Sequence, residues 1–133
     1  MQYYATFDRR EFPLIVVTFT GEHESPQNFE VYLNELSANY DARTPISLIF
    51  DASHSTVPKF AYQKLQADWM KVNSQLIKTY CLGTAYVTPS SLLRTALKCV
   101  FALQGSPVPF RVFSLKSEAV DWARTLLSAN QND

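Results

Sequence analysis

Between Asp51 and Lys59 the chain reads Asp-Ala-Ser-His-Ser-Thr-Val-Pro-Lys, a dense run of chemically capable side chains among its 133 residues. Asp51, Ser53, His54, Ser55, Thr56 and Lys59 could serve three chemistries. One is the docking of an anion or a protein partner, because hydroxyls and a lysine stand before a helix whose first amides attract negative charge. A second is phosphorylation of a hydroxyl, which would add about −1.5 to −2 charges beside that helix end and order the loop. The third is an acid–base relay, with His54 as base, Asp51 as its orienter and a nearby serine as nucleophile. Three residues so close in sequence seldom face one another with the required geometry, and no oxyanion-hole motif accompanies them, so catalysis is not expected. The same residues also suit a structural role: Ser55 or Thr56 capping the helix and Asp51 tying the loop backbone.

The other reactive residues are few. His23 lies between Glu22 and Glu24 in a turn and reads as a solvated surface residue. Cys81 opens an apolar strand, where burial raises the thiol pKa and suppresses the thiolate. With Cys99 it is expected to be a reduced core thiol. Two His and two Cys leave almost no material for a metal cluster. Gly21, Gly83 and Gly105 are too far apart for a phosphate-cradling loop. No cofactor is expected, and the chain does not read as an enzyme.

Charge points to surfaces rather than chemistry. The formal net charge is zero, but residues 1–57 balance at −5 and residues 58–116 at +7, with Asp68 the one acid in the latter stretch. The basic part could face an anionic partner, or its lysines could simply be solvated helix faces. Nucleic acid is not an expected partner. No apolar run is long enough to span a bilayer, and no signal peptide precedes Asp8, Arg9 and Arg10, so a cytoplasmic location is expected.

Hydrophobic periodicity places these residues on elements. With 47% apolar and 18% charged residues, the chain has material for one ordinary domain over 1–133, with a frayed tail at 128–133. Tyr3–Asp8 and Pro13–Thr20 read as strands close enough in sequence to form an antiparallel hairpin. Ser25-Pro26 is a helix start, followed by a stripe of Phe29, Tyr32, Leu33, Leu36 and Tyr40 that ends near Asp41. Ile46–Phe50 is an apolar strand. Pro58 opens a long helix to about Lys78, with Ala61, Tyr62, Leu65, Trp69, Val72 and Leu76 inward and Lys64, Lys71 and Lys78 outward. Cys81–Val87 is the fourth strand. The helix after Pro89 runs to Gln104-Gly105, Phe110–Phe113 is a last strand, and a final helix follows Ser114 to about Leu127. The order β-β-α-β-α-β-α-β-α implies an α/β fold with an open, mostly parallel sheet and an N-terminal β-hairpin.

Four residues on two helices read as interface candidates. The helix after Pro89 has a core stripe of Leu92, Ala96, Cys99, Val100 and Leu103. Leu93, Leu97 and Phe101 widen its apolar arc beyond a normal packing face, which suits deep burial, a subunit interface or a pocket wall. Phe60 projects near the lysine face of the preceding helix.

The element order, the strand Ile46-Ser-Leu-Ile-Phe-Asp51, the strand Cys81-Leu-Gly-Thr-Ala-Tyr-Val87 and the closing pattern Phe113, Glu118, Ala119, Trp122 resemble the STAS domain of bacterial anti-sigma factor antagonists. More narrowly they resemble the SpoIIAA-like (STAS/SEC14-type) group. Asp51-Ala52-Ser53 matches the Asp-x-Ser sequence that follows the third strand of the antagonists. Their next motif, Asp-Ser/Thr-Ser-Gly, has no counterpart, because Thr56, Val57, Pro58 and Lys59 occupy its place. The antagonists' phosphoacceptor is therefore missing at its position, with Ser55 and Thr56 one or two residues away. The resemblance implies a non-enzymatic regulatory module that binds a protein partner or itself as a homodimer. Its SEC14-like side implies the alternative, a carrier or sensor of a small apolar or lipid-like ligand, for which the 14% aromatic content could line a pocket.

Overall fold

The computed structural model describes residues 2–131, apart from the side chains at 93, 96, 99, 100, 103 and 104. Five strands, β1 (Ala5–Asp8), β2 (Leu14–Phe19), β3 (Ile46–Asp51), β4 (Cys81–Val87) and β5 (Phe110–Phe113), form one sheet in that spatial order. β1 and β2 pair antiparallel, and every later pair is parallel. The hairpin and the mostly parallel sheet agree with the sequence reading, and the antiparallel strand is at one edge.

That strand order explains the layers. A right-handed crossover puts its helix on a fixed face as long as the chain keeps advancing in one direction. From β2 to β5 it never reverses. α1 (Pro26–Ala38), α2 (Phe60–Val72), α3 (Ser74–Tyr80) and α4 (Ser91–Gln104) are the crossovers, and α5 (Lys116–Gln131) follows the last strand and covers the other face. With no reversal there is no switch-point crevice at the carboxyl edge of the sheet, where open α/β sheets usually bind ligands.

The two faces pack by different means. Under α5, Leu14, Ile49, Ala85, Val87 and Phe113 meet Ala119 and Ala123. Small residues let the helix lie close: a methyl group on Gly83 would stand 2.6 Å from Leu126 Cδ1. On the other face Ile15, Val17, Leu48 and Phe50 meet α1 through Phe29, Tyr32 and Leu36. Rings dominate there.

Three local readings need correction. The helix expected from Pro58 to about Lys78 is two helices, broken at Asn73 (φ −99°, ψ 13°). The Asn73 side chain donates to Trp69 O at 2.9 Å, a side-chain bond that competes with continued helix. The inward face of α2 is also rotated from the expected stripe. Ala61, Leu65 and Val72 are exposed, whereas Ala67 is buried and Tyr62, Gln66, Trp69 and Met70 are half-buried. Finally, α5 continues to Gln131, past the tail expected from residue 128. Ser25 caps α1 as expected: the Asn28 N–H donates to Ser25 Oγ at 3.1 Å, and the Ser25 N–H donates to Asn28 Oδ1 at 2.8 Å. Among the described residues, no helix is long and apolar enough to cross a membrane.

Candidate binding site

The loop from Ala52 to Lys59 leaves β3 and is held largely by its own bonds. Asp51 Oδ1 accepts from the Ser53 N–H at 3.1 Å and from Ser53 Oγ at 2.7 Å. The Ser55 N–H donates to Ala52 O at 3.2 Å, and Ser55 Oγ to Thr56 O at 3.0 Å. Neither Ser55 nor Thr56 caps α2. Its N-cap is Lys59, which makes no side-chain cap. The carboxylate of Glu24 reaches across instead and accepts the Lys59 N–H at 3.1 Å. An anion therefore already sits at this helix start, and it belongs to the protein.

This geometry separates the loop residues. Ser53, His54, Thr56 and Lys59 are exposed, while Asp51 and Ser55 are half-buried. The acid–base relay does not assemble: Asp51 is bonded to Ser53, and no hydrogen bond is made by the His54 ring among the described residues. His23 is exposed, as expected. Cys81 is buried, and burial pushes its thiol up to about 11.

Behind the loop lies a cavity of about 120 Å³ between the sheet and helices α1, α2 and α4. Its floor is aromatic. Phe50 and Tyr86 stack with centroids 5.2 Å apart and planes within 12°, and Phe19 continues the row beside Phe50 at 6.2 Å and 14°. Tyr4, Phe29 and Tyr32 close one side, where their rings meet in pairs at 5.3 Å. Tyr62, Gln63, Gln66 and Met70 come from α2, and Leu97 and Phe101 from α4. The loop supplies the remaining wall through Ala52, Ser55 and Pro58. A smaller space of about 40 Å³ adjoins it and shares Phe50, Gln66, Met70, Tyr86 and Phe101.

The cavity is a poor place for charge. Burial, then the charge of Glu24, pushes the Tyr4 phenol up to about 12, with the nearby Ser55 side chain acting in the opposite direction. Burial also holds the phenols of Tyr32 and Tyr86 above their ordinary range. No described residue lining the cavity is charged.

The candidate interface residues divide. Phe60 is 70% exposed at the first turn of α2. Leu97 and Phe101 face the cavity, and Phe101 stacks on Phe110 at 4.4 Å. Leu92, expected in the core stripe of α4, is 71% exposed because it lies in the first turn on the outer side, and the side chains of Leu93, Ala96, Cys99, Val100 and Leu103 lie outside the described residues. Sequence reasoning missed Gln66 and Met70, because the even spacing of the lysines suggested a different phase for the helix. Tyr62, Gln66, Trp69 and Asn73, spaced three and four apart, carried the usable signal.

No family model and no curated protein matches the chain. Solved structures similar to it include two. One is an uncharacterized protein of the DUF3478 family with a SpoIIAA-like fold from Shewanella loihica PV-4 (TM-score 0.62, 16% identity, 90% of this chain and 91% of that one). The other is an anti-sigma factor antagonist from Mycobacterium paratuberculosis (TM-score 0.56, 14% identity, 90% of this chain and 92% of that one). The chain thus has a SpoIIAA-like fold, as its element order implied.

Proposed function

We propose that the chain is a regulatory binding module with no chemistry of its own, in which the loop 51–59 docks a protein partner and the cavity behind it holds a small apolar ligand. One observation carries this reading: Ala52, Ser55 and Pro58 belong to the loop and are also walls of the cavity. A molecule in the cavity would press on the segment that a partner would touch. Support for the partner comes from the loop's exposed Ser53, His54, Thr56 and Lys59, next to the exposed ring of Phe60. A large exposed aromatic beside polar groups suits an interface anchor. The likeness in fold to an anti-sigma factor antagonist is consistent with a protein partner. The unassembled Asp51, Ser53 and His54 speak against a nucleophilic enzyme.

A photo-crosslinking residue at position 54, compared with one at the exposed position 130, tests the partner in living cells. The reading expects a discrete adduct from position 54 that Phe60→Asp removes. Identical adducts from both positions, or none from position 54, contradict it. Phosphorylation of Ser53, Ser55 or Thr56 belongs to the same reading as its switch, and intact-mass analysis of protein from its native cell would show the added phosphate.

A further inference from the structure

We infer that the cavity takes a neutral molecule with a single aromatic ring and one hydrogen-bonding substituent, and that Gln66 reads that substituent. The inference rests on the cavity being a ligand site. It names the class of ligand from size, wall chemistry and one side chain.

Size argues for one ring. An apolar cavity of about 150 Å³ in another protein holds benzene. Here the main space is about 120 Å³, with about 40 Å³ more beside it. One ring fills the first, and a short substituent enters the second. The walls argue for a ring over an alkyl chain. The rings of Phe19, Phe50 and Tyr86 cover one another's faces, so the floor offers ring edges, and edge-to-face aromatic pairs gain about 0.5–1.5 kcal/mol beyond buried area. A flexible chain gains none of that and loses its rotamer freedom on entry.

Charge argues for neutrality. No described lining residue could pair with a carboxylate or an ammonium. An unpaired charge in such surroundings is strongly disfavoured. The same burial that raises the Tyr32 and Tyr86 phenols would disfavour the charged form of any acid that entered.

Gln66 supplies the polar contact. It lines both the main cavity and the smaller one. Its carboxamide makes no hydrogen bond among the described residues. The nearby Gln63 is already occupied, donating through Nε2 to Pro58 O at 2.7 Å. A hydroxyl or carbonyl on the ring would find in Gln66 both a donor and an acceptor.

Titration calorimetry on the full chain decides between ligand classes, with p-cresol, toluene, p-toluate and 1-octanol as probes. The inference expects saturable binding of p-cresol, with toluene about three- to tenfold weaker, the worth of one net hydrogen bond. It expects p-toluate not to bind, and 1-octanol to bind more weakly than p-cresol. In Gln66→Leu the preference for p-cresol over toluene falls to about twofold or less, while toluene still binds and so reports an intact cavity. If 1-octanol or p-toluate binds as tightly as p-cresol, the ring or the neutrality is wrong although the cavity remains a ligand site. An unchanged preference in Gln66→Leu overturns the role of Gln66. If no probe binds, the cavity itself is not a ligand site and both readings fall.

Discussion

Phe50 and Tyr86 stand at paired positions of two parallel strands, their rings 5.2 Å apart and within 12° of parallel. The pairing makes one stiff floor for the cavity out of neighbouring strands. Truncation of Phe50 to Ala removes the middle ring of the row from Phe19 to Tyr86. Phe50→Ala should cost about 3–5 kcal/mol of folding stability, as deletion of a buried ring does. Urea unfolding measures it; a loss well below 1 kcal/mol would mean that the floor is not packed as described.

Gly83 sits where α5 crosses β4 closely. A Cβ there would meet Leu126 Cδ1 at 2.6 Å, the Trp122 ring at 3.1 Å and the Pro109 carbonyl oxygen at 3.2 Å. Gly83→Ala should therefore destabilise by about 1–3 kcal/mol through overpacking. In the double variant with Leu126→Ala the loss should be smaller than the sum of the two single losses, because the side chains share one space. Strict additivity in thermal unfolding would argue against the close approach.

Ser47 is fully buried on β3, and its hydroxyl has no hydrogen-bond partner among the described residues. An unpaired buried hydroxyl opposes folding, so Ser47→Ala should leave stability unchanged or raise it by about 1 kcal/mol. Denaturant midpoints of the two proteins check this. A clear loss would show that the hydroxyl has a partner, such as a buried water.

Alkaline pH should unfold the protein through its phenols. The Tyr4 phenol moves from an ordinary 10.0 to about 12 in the folded chain, first because it is buried and then because Glu24 is near. Burial raises Tyr32, Tyr40 and Tyr86 as well. The folded state thus holds these protons more tightly than the unfolded chain. Their contribution is whole below pH 10.0 and is lost as pH rises through about 12 for Tyr4. Phenolate absorbance from these residues should appear together with the loss of near-ultraviolet circular dichroism. Full ionisation while the dichroism persists would contradict their burial.

Much of the fold is legible in the residues. Pro26 after Ser25 marks a helix start, and unbroken apolar runs such as Ile46–Phe50 mark strands buried on both faces. The break at Asn73 is harder to read. An asparagine inside a periodic segment is tolerated unless its side chain turns back on the helix, and that depends on the packing of Trp69, whose indole N–H donates to Ser37 Oγ at 3.0 Å on α1. The loop 51–59 is visible by composition, but its bonding is not. Glu24, twenty-seven residues before Asp51 in sequence, supplies the carboxylate at the start of α2, and sequence gives no sign of that contact. The cavity is the least legible feature, since it exists only where rings from β2, β3, β4 and α1 fail to fill the space beneath α2 and α4.

The most direct measurement is amide and methyl nuclear magnetic resonance during titration with p-cresol. The account predicts saturable shifts at the Met70 methyl and at the amides of Ala52 and Ser55, with Arg124 and Asn130 on α5 unmoved. Shifts confined to α5, or movement of the Met70 methyl while the loop amides stay still, would show that cavity and loop are not one unit.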